Sequence, residues 1–122
     1  MEDPYQKGMR VRREVLGDEH VDRAIAATTR MDESFQRFIT ESVWGGLWGN
    51  PDLDRKTRSL VTIAILAALR SEELELHLRA STNTGVTDEE LTQVLGHVAF
   101  YAGVPAANAA MKRAKAIRGG AR

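Results

Sequence analysis

The sequence contains no cysteine. That absence excludes disulfides, thiolate metal sites and thiol redox catalysis, and it is consistent with a reducing compartment. Neither sign of charge is in excess, because 17 basic residues face 17 acidic ones. No global field would therefore hold the chain on nucleic acid or on an anionic membrane. Long apolar runs are also missing. The longest, Leu60 to Leu69 with Thr62 inside it, is far short of the ~20 residues that span a bilayer. The opening residues are polar and carry Glu2 and Asp3, unlike the basic-then-apolar layout of a signal peptide. The expectation is a soluble cytoplasmic protein. At 122 residues it can form one domain that buries roughly two thirds of its unfolded surface.

Proline is scarce, and its positions at 4, 51 and 105 separate segments that each read as helix. The first runs from Tyr5 to Leu16, is basic, and stops at Gly17. Asp18 can cap a second, through Ala27. A third begins near Asp32, where Phe35, Phe38, Ile39, Val43 and Leu47 recur at the period of one buried face. Gly45, Gly46 and Gly49 end it, and Asn50-Pro51 turns the chain. Asp54 can cap a fourth, about Arg55 to Leu69, apolar on nearly every side and so expected at the core, wrapped by other helices or by subunits. The fifth, about Ser71 to Thr84, carries Leu74 and Leu78 and ends at Gly85. Thr87 and Glu90 form a capping box for the sixth, through Leu91, Val94, Leu95, Val98 and Ala102. Pro105 opens the last, to about Ile117. No strand alternation is sustained. The expected fold is all-α, a compact bundle of six to seven helices in one domain over residues 1–118, with a disordered tail at 119–122.

Glu73 and His77 lie four residues apart and share one face of the fifth helix. A carboxylate beside an imidazole orients its tautomer and raises its basicity, as a proton-handling pair requires. The same spacing describes an ordinary surface ion pair, as Glu75 with Arg79 does. Arg55, Lys56 and Arg58 crowd the first turn of the fourth helix, where cations oppose the helix dipole. Either an anion binds there or Asp52 and Asp54 offset the charge. Arg58, nearest the apolar part, is the best candidate to hold a carboxylate. Trp44 and Trp48 could wall an apolar pocket, or serve as core or subunit interface. His97 and Tyr101 repeat the four-residue spacing. The basic residues Lys7, Arg10, Arg12 and Arg13 lack interleaved aromatics, which argues against nucleic-acid binding. There is no glycine-rich phosphate loop, nucleophile elbow or paired-histidine zinc motif.

Five separated stretches resemble one family in unbroken order: Met9-Arg10-Val11-Arg12-Arg13-Glu14-Val15-Leu16-Gly17 with His20-Val21; Trp44-Gly45-x-x-Trp48; Leu53-Asp54-Arg55-x-Thr57-Arg58-Ser59-Leu60; Glu73-Leu74-x-x-His77-x-Arg79-Ala80; and Tyr101 to Ala107. The sequence is similar to the carboxymuconolactone decarboxylase and alkylhydroperoxidase-like family. Peroxidase members carry Cys-x-x-Cys-x-x-x-His on the corresponding helix. Here His77 holds the histidine position, while Arg70 and Glu73 stand where the cysteines would be, so the resemblance is to the cysteine-free decarboxylase branch. It implies an alkylhydroperoxidase-like helical fold and a homo-oligomer, typically a hexamer arranged as a trimer of dimers.

The resemblance also implies a reaction, conversion of 4-carboxymuconolactone to 3-oxoadipate enol-lactone in the protocatechuate branch of aromatic-acid breakdown. The departing carboxylate is conjugated through the ring double bond to the lactone carbonyl, which can accept its electrons as a dienolate. No cofactor or metal is then required. The expected catalytic residues are Arg58, holding the acid or the lactone oxygen, and His77, oriented by Glu73 and donating the proton. Arg55, Trp44, Trp48, His97 and Tyr101 are the candidates for substrate contact. The expected ligand is a small carboxylated lactone, with neither nucleic acid nor membrane as partner. Another carboxylated lactone, a beta-keto acid, or a non-catalytic helical oligomer on the same scaffold remain alternatives.

Overall fold

The computed structural model describes residues 1–119, and among them every regular element is helical. The chain forms two compact units, Met1–Arg55 and a second beginning at Lys56. None of the helices among the described residues is long and apolar enough to cross a membrane.

In the first unit, α1 (Pro4–Leu16) is opened by a capping box: the Asp3 carboxylate accepts from Gln6 N–H at 2.8 Å, and Gln6 Oε1 accepts from Asp3 N–H at 3.1 Å. Gly17, at φ 90°, turns the chain directly into α2 (Asp18–Ala27). Because the turn falls at Gly17, Asp18 is already helical and does not cap. Its carboxylate instead accepts from Arg13 at 3.0 Å. Then α3 (Glu33–Phe38) continues into a π-helical segment, Ile39–Trp48.

That stretch overturns two expectations. On α3, Phe35 and Phe38, expected on the buried face, are 59% and 61% exposed; within the π-helical segment Leu47 is 53% exposed while Thr40, Trp44 and Trp48 are buried. Winding with i→i+5 bonds lengthens the repeat, so four- and five-residue spacings share the inner face in place of three and four. Nor does Gly45 end the helix. A Cβ there would lie 3.2 Å from Pro4 O and 3.3 Å from Gly8 Cα, so the glycine serves close approach to α1.

In the second unit, α4 (Arg55–Leu69) turns a narrow stripe inward, Ser59, Ile63 and Ala67. Leu60, Ala64 and Leu66 flank that stripe half-buried, while Val61, Ile65 and Leu69 are exposed. The helix ends at Arg70, a non-glycine residue at φ 54°. Arg70 N–H bonds Ala67 O at 3.1 Å and Ser71 N–H bonds Leu66 O at 2.9 Å, the paired bonds of a Schellman closure. The reversal uses residues 71–73, so α5 (Leu74–Ala80) is shorter than the expected span from Ser71 to Thr84.

Next come α6 (Asp88–Tyr101), with the expected Thr87–Glu90 capping box, and α7 (Val104–Arg118), entered through Gly103 at φ 113°. Leu74 and Leu78 of α5 and Leu91, Leu95 and Val98 of α6 are buried with Ala106, Ala107, Ala110 and Ala114 of α7. Small residues on α7 bring its backbone close, and each buried leucine contributes about 1.5–3 kcal/mol. Arg118 pins the end of α7, donating to Ser81 Oγ at 2.7 Å and Asp88 Oδ1 at 3.0 Å. Of the expected disordered tail, Gly119 is the α7 C-cap, its N–H bonded to Lys115 O. Residues 120–122 lie outside the described residues.

Candidate active site

Glu73 is the N-cap of α5 and is exposed, whereas His77, one turn further on, is half-buried. The backbone turn between them is closed, with His77 N–H bonded to Glu73 O at 3.4 Å. Four residues apart, the two stand one helical turn from each other on the same side of α5. The companion pair is not formed as expected: Glu75 accepts from Arg113 Nε at 3.3 Å instead of pairing with Arg79. Arg113 also donates to the carbonyls of Ser71 and Glu72, at 3.2 and 3.4 Å. It thereby ties α7 to the turn that carries Glu73.

The cations at the start of α4 have distinct settings. Arg55 bonds Glu14 at 2.7 Å within the first unit, and Lys56 bonds Glu90 at 2.8 Å within the second. These carboxylates offset charge that opposes the helix dipole. The bond from Lys56, with help from the Thr87 backbone, holds the Glu90 carboxyl below its ordinary value. Arg58 is half-buried beside Ser59, whose hydroxyl lies 2.6 Å from Thr84 Oγ1. Arg58, Glu73 and His77 all belong to the second unit.

Trp44 and Trp48 belong to the first unit, with ring centroids 5.2 Å apart and each 5% exposed. They are core residues of that unit. His97 and Tyr101 stack at 4.7 Å on the outer face of α6. With Phe100, Gln93 and Thr92 they border an open depression of ≈ 510 Å³.

Arg12 differs most from its expectation. Grouped by sequence with the basic residues Lys7, Arg10 and Arg13, it is 8% exposed and lines a cavity of the first unit. Its position on α1 could have signalled this, since Gly8, Arg12, Val15 and Leu16 share the buried stripe.

Residues 33–116, which run through both units, match the carboxymuconolactone decarboxylase family. The 4-carboxymuconolactone decarboxylase of Acinetobacter baylyi is 49% identical over 117 residues, covering 95% of this chain and 87% of that protein. Nitrosuccinic acid decarboxylase npaB of Metarhizium robertsii is 40% identical over 108 residues, covering 88% of this chain and 76% of its own length. On these matches the chain belongs to the carboxymuconolactone decarboxylase family.

Proposed function

We infer that this chain is a carboxy-lyase that converts 4-carboxymuconolactone to 3-oxoadipate enol-lactone without a cofactor. The observation that carries the reading is the near full-length match to the Acinetobacter baylyi decarboxylase. The site geometry supports it, because His77 and Glu73 share one face of α5 and Arg58 stands half-buried at the start of α4.

The chemistry follows from the substrate's conjugation. The bond between ring carbon and carboxylate breaks, carbon dioxide leaves, and the bond's electron pair passes through the ring double bond to the lactone carbonyl oxygen. Arg58 steadies the anionic acid or that oxygen. The dienolate then takes a proton at ring carbon from His77, and the Glu73 carboxylate stabilises the imidazolium that donates it. A half-buried imidazole is suited to this, since partial exclusion of water strengthens its interaction with a developing anion. His97 and Tyr101 of the second unit are the further proposed substrate contacts.

The same reading places the enzyme in the cytoplasm as a homo-oligomer, a hexamer built as a trimer of dimers. The apolar side chains exposed on α4 and at the α6–α7 junction, Val61, Ile65, Leu69, Phe100 and Val104, support assembly.

The test is turnover of freshly generated 4-carboxymuconolactone by metal-stripped protein, following carbon dioxide and enol-lactone together. Equal, efficient release of both supports the assignment, and no turnover by folded protein rejects it. The likeness to a nitrosuccinic acid decarboxylase favours a second reading, decarboxylation of a different small activated acid. Turnover of nitrosuccinate at a higher kcat/KM than the lactone would select it.

A further inference from the structure

The first unit contains a buried cation that the proposed decarboxylation does not use. Arg12 is 8% exposed, and a guanidinium cannot escape burial by losing its proton, so hydrogen bonds or an anion must compensate. Its compensation is thin. Thr40 Oγ1 accepts from one terminal nitrogen at 3.3 Å and Gln36 Oε1 from the other at 3.5 Å. Charge-assisted bonds are shorter, at ~2.7–2.9 Å. The Thr40 hydroxyl is neutral, and it donates its own hydrogen to Gln36 O at 2.8 Å, so neither contact supplies a negative charge. Arg12 Nε is buried without a hydrogen-bond partner among the described residues, and burial pulls the group's pKa below its ordinary value.

Five other arginines of the first unit behave differently. Arg10, Arg13, Arg23, Arg37 and Arg55 each have a carboxylate of the same unit within ion-pair distance. Arg12 is more buried than any of these, and among the described residues it has no ion pair. Beside it opens a cavity of ≈ 520 Å³ whose wall includes Tyr5, Met9, Ile25 and Thr40, within the ~300–1,000 Å³ range of small-molecule sites.

We propose that this cavity binds a small organic monocarboxylate, its carboxylate on Arg12 and its apolar body against Tyr5, Met9 and Ile25. A single negative charge is specified by the other charged groups of the wall. Arg37 is already held 4.7 Å over the Tyr5 ring and 3.9 Å from Glu41, and the Glu33 carboxylate disfavours a second anion. None of Arg58, Glu73 or His77 lines the cavity, so the site is additional to the residues assigned to decarboxylation.

The experiment is calorimetric titration of the full chain with benzoate and, as its neutral isostere, benzamide. The expected result is saturable binding of one benzoate per chain, with benzamide at least tenfold weaker and benzoate binding lost in Arg12→Gln. Ile25→Trp fills the cavity from a half-exposed rim position and should weaken benzoate at least tenfold. It keeps the test decisive if Arg12→Gln does not fold. Equal affinity for the two probes, no binding, or benzoate binding untouched by either substitution overturns the proposal. Sedimentation of Arg12→Gln covers the other source of a carboxylate: absent benzoate binding together with a lowered assembled mass would assign Arg12 to a second copy of the chain and overturn the free-acid site.

Discussion

Gly8 and Gly45 meet backbone to backbone: a Cβ on Gly45 would stand 3.3 Å from Gly8 Cα, and a Cβ on Gly8 would collide with the Thr40 carbonyl. The approach of α1 to the π-helical segment therefore depends on two missing methyl groups. Gly8→Ala is expected to destabilise the fold by about 3 kcal/mol, the upper range for overpacking. Gly96, within α6, has nothing within 4 Å of its added Cβ, and Gly96→Ala should stabilise by about 0.5–1 kcal/mol. Urea denaturation of both variants checks the pair, and a Gly8→Ala midpoint equal to wild type would refute the close approach.

Arg70 closes α4 in a left-handed conformation that a side chain disfavours by about 1–2 kcal/mol. Its two closing bonds, to Ala67 and from Ser71 to Leu66, are made by backbone alone. Arg70→Gly keeps them and relieves the strain, against some loss of chain entropy. A stability gain of about 0.5–1 kcal/mol is expected in thermal or chemical denaturation, and a loss would mean that the arginine side chain holds the turn.

For the proposed chemistry, His77→Ala should lower kcat by about 10²–10⁴, the range for removing a general acid. Glu73→Gln should lower it less and shift the acid limb of the pH–rate profile. Arg58→Lys should raise KM about tenfold, since an ammonium cannot reproduce two parallel bonds to a carboxylate. Near wild-type turnover in both His77→Ala and Glu73→Gln would remove the proton-donor assignment.

The Lys56–Glu90 bond makes one part of stability depend on pH. Glu90 is held below its ordinary value of 4.5, first by the hydrogen bond from Lys56. The unfolded chain therefore takes up this proton at a higher pH than the folded one. The contribution is fully present above about 4.5 and is lost as pH falls through the lower folded value. The stability difference between wild type and Lys56→Gln should shrink across that window in denaturation measured from pH 6 to 3. A difference that stays constant would show that the lysine acts through packing.

Elements governed by local chemistry were legible before the structure. Thr87 and Glu90 cap α6 because both partners lie within one turn, and Leu74, Leu78, Leu91 and Leu95 are buried at the spacing their sequence shows. Gly17, Gly85 and Gly103 take the positive φ angles that their type permits at low cost. What local reading could not supply was distance. The carboxylate facing Arg55 is Glu14, 41 residues away, and the sequence displays only Asp52 and Asp54 nearby. Nor does composition mark π winding, so the inner face of residues 39–48 was misjudged. Nor does charge mark burial: Arg12 is buried because it falls on the stripe of α1 with Gly8, Val15 and Leu16.

The π-helical stretch bears on how the chain tolerates changes in length. Each of its turns holds one residue more than an α-helical turn, so Ile39–Trp48 contains surplus chain. Loss of one residue there can be met by rewinding toward α geometry, leaving the two ends near their places. A further inserted residue has no such outlet, because Gly45 and Thr40 already press on α1. Deletions and insertions are thus unequal at this point, and the segment acts as a one-way slack in the register of the first unit.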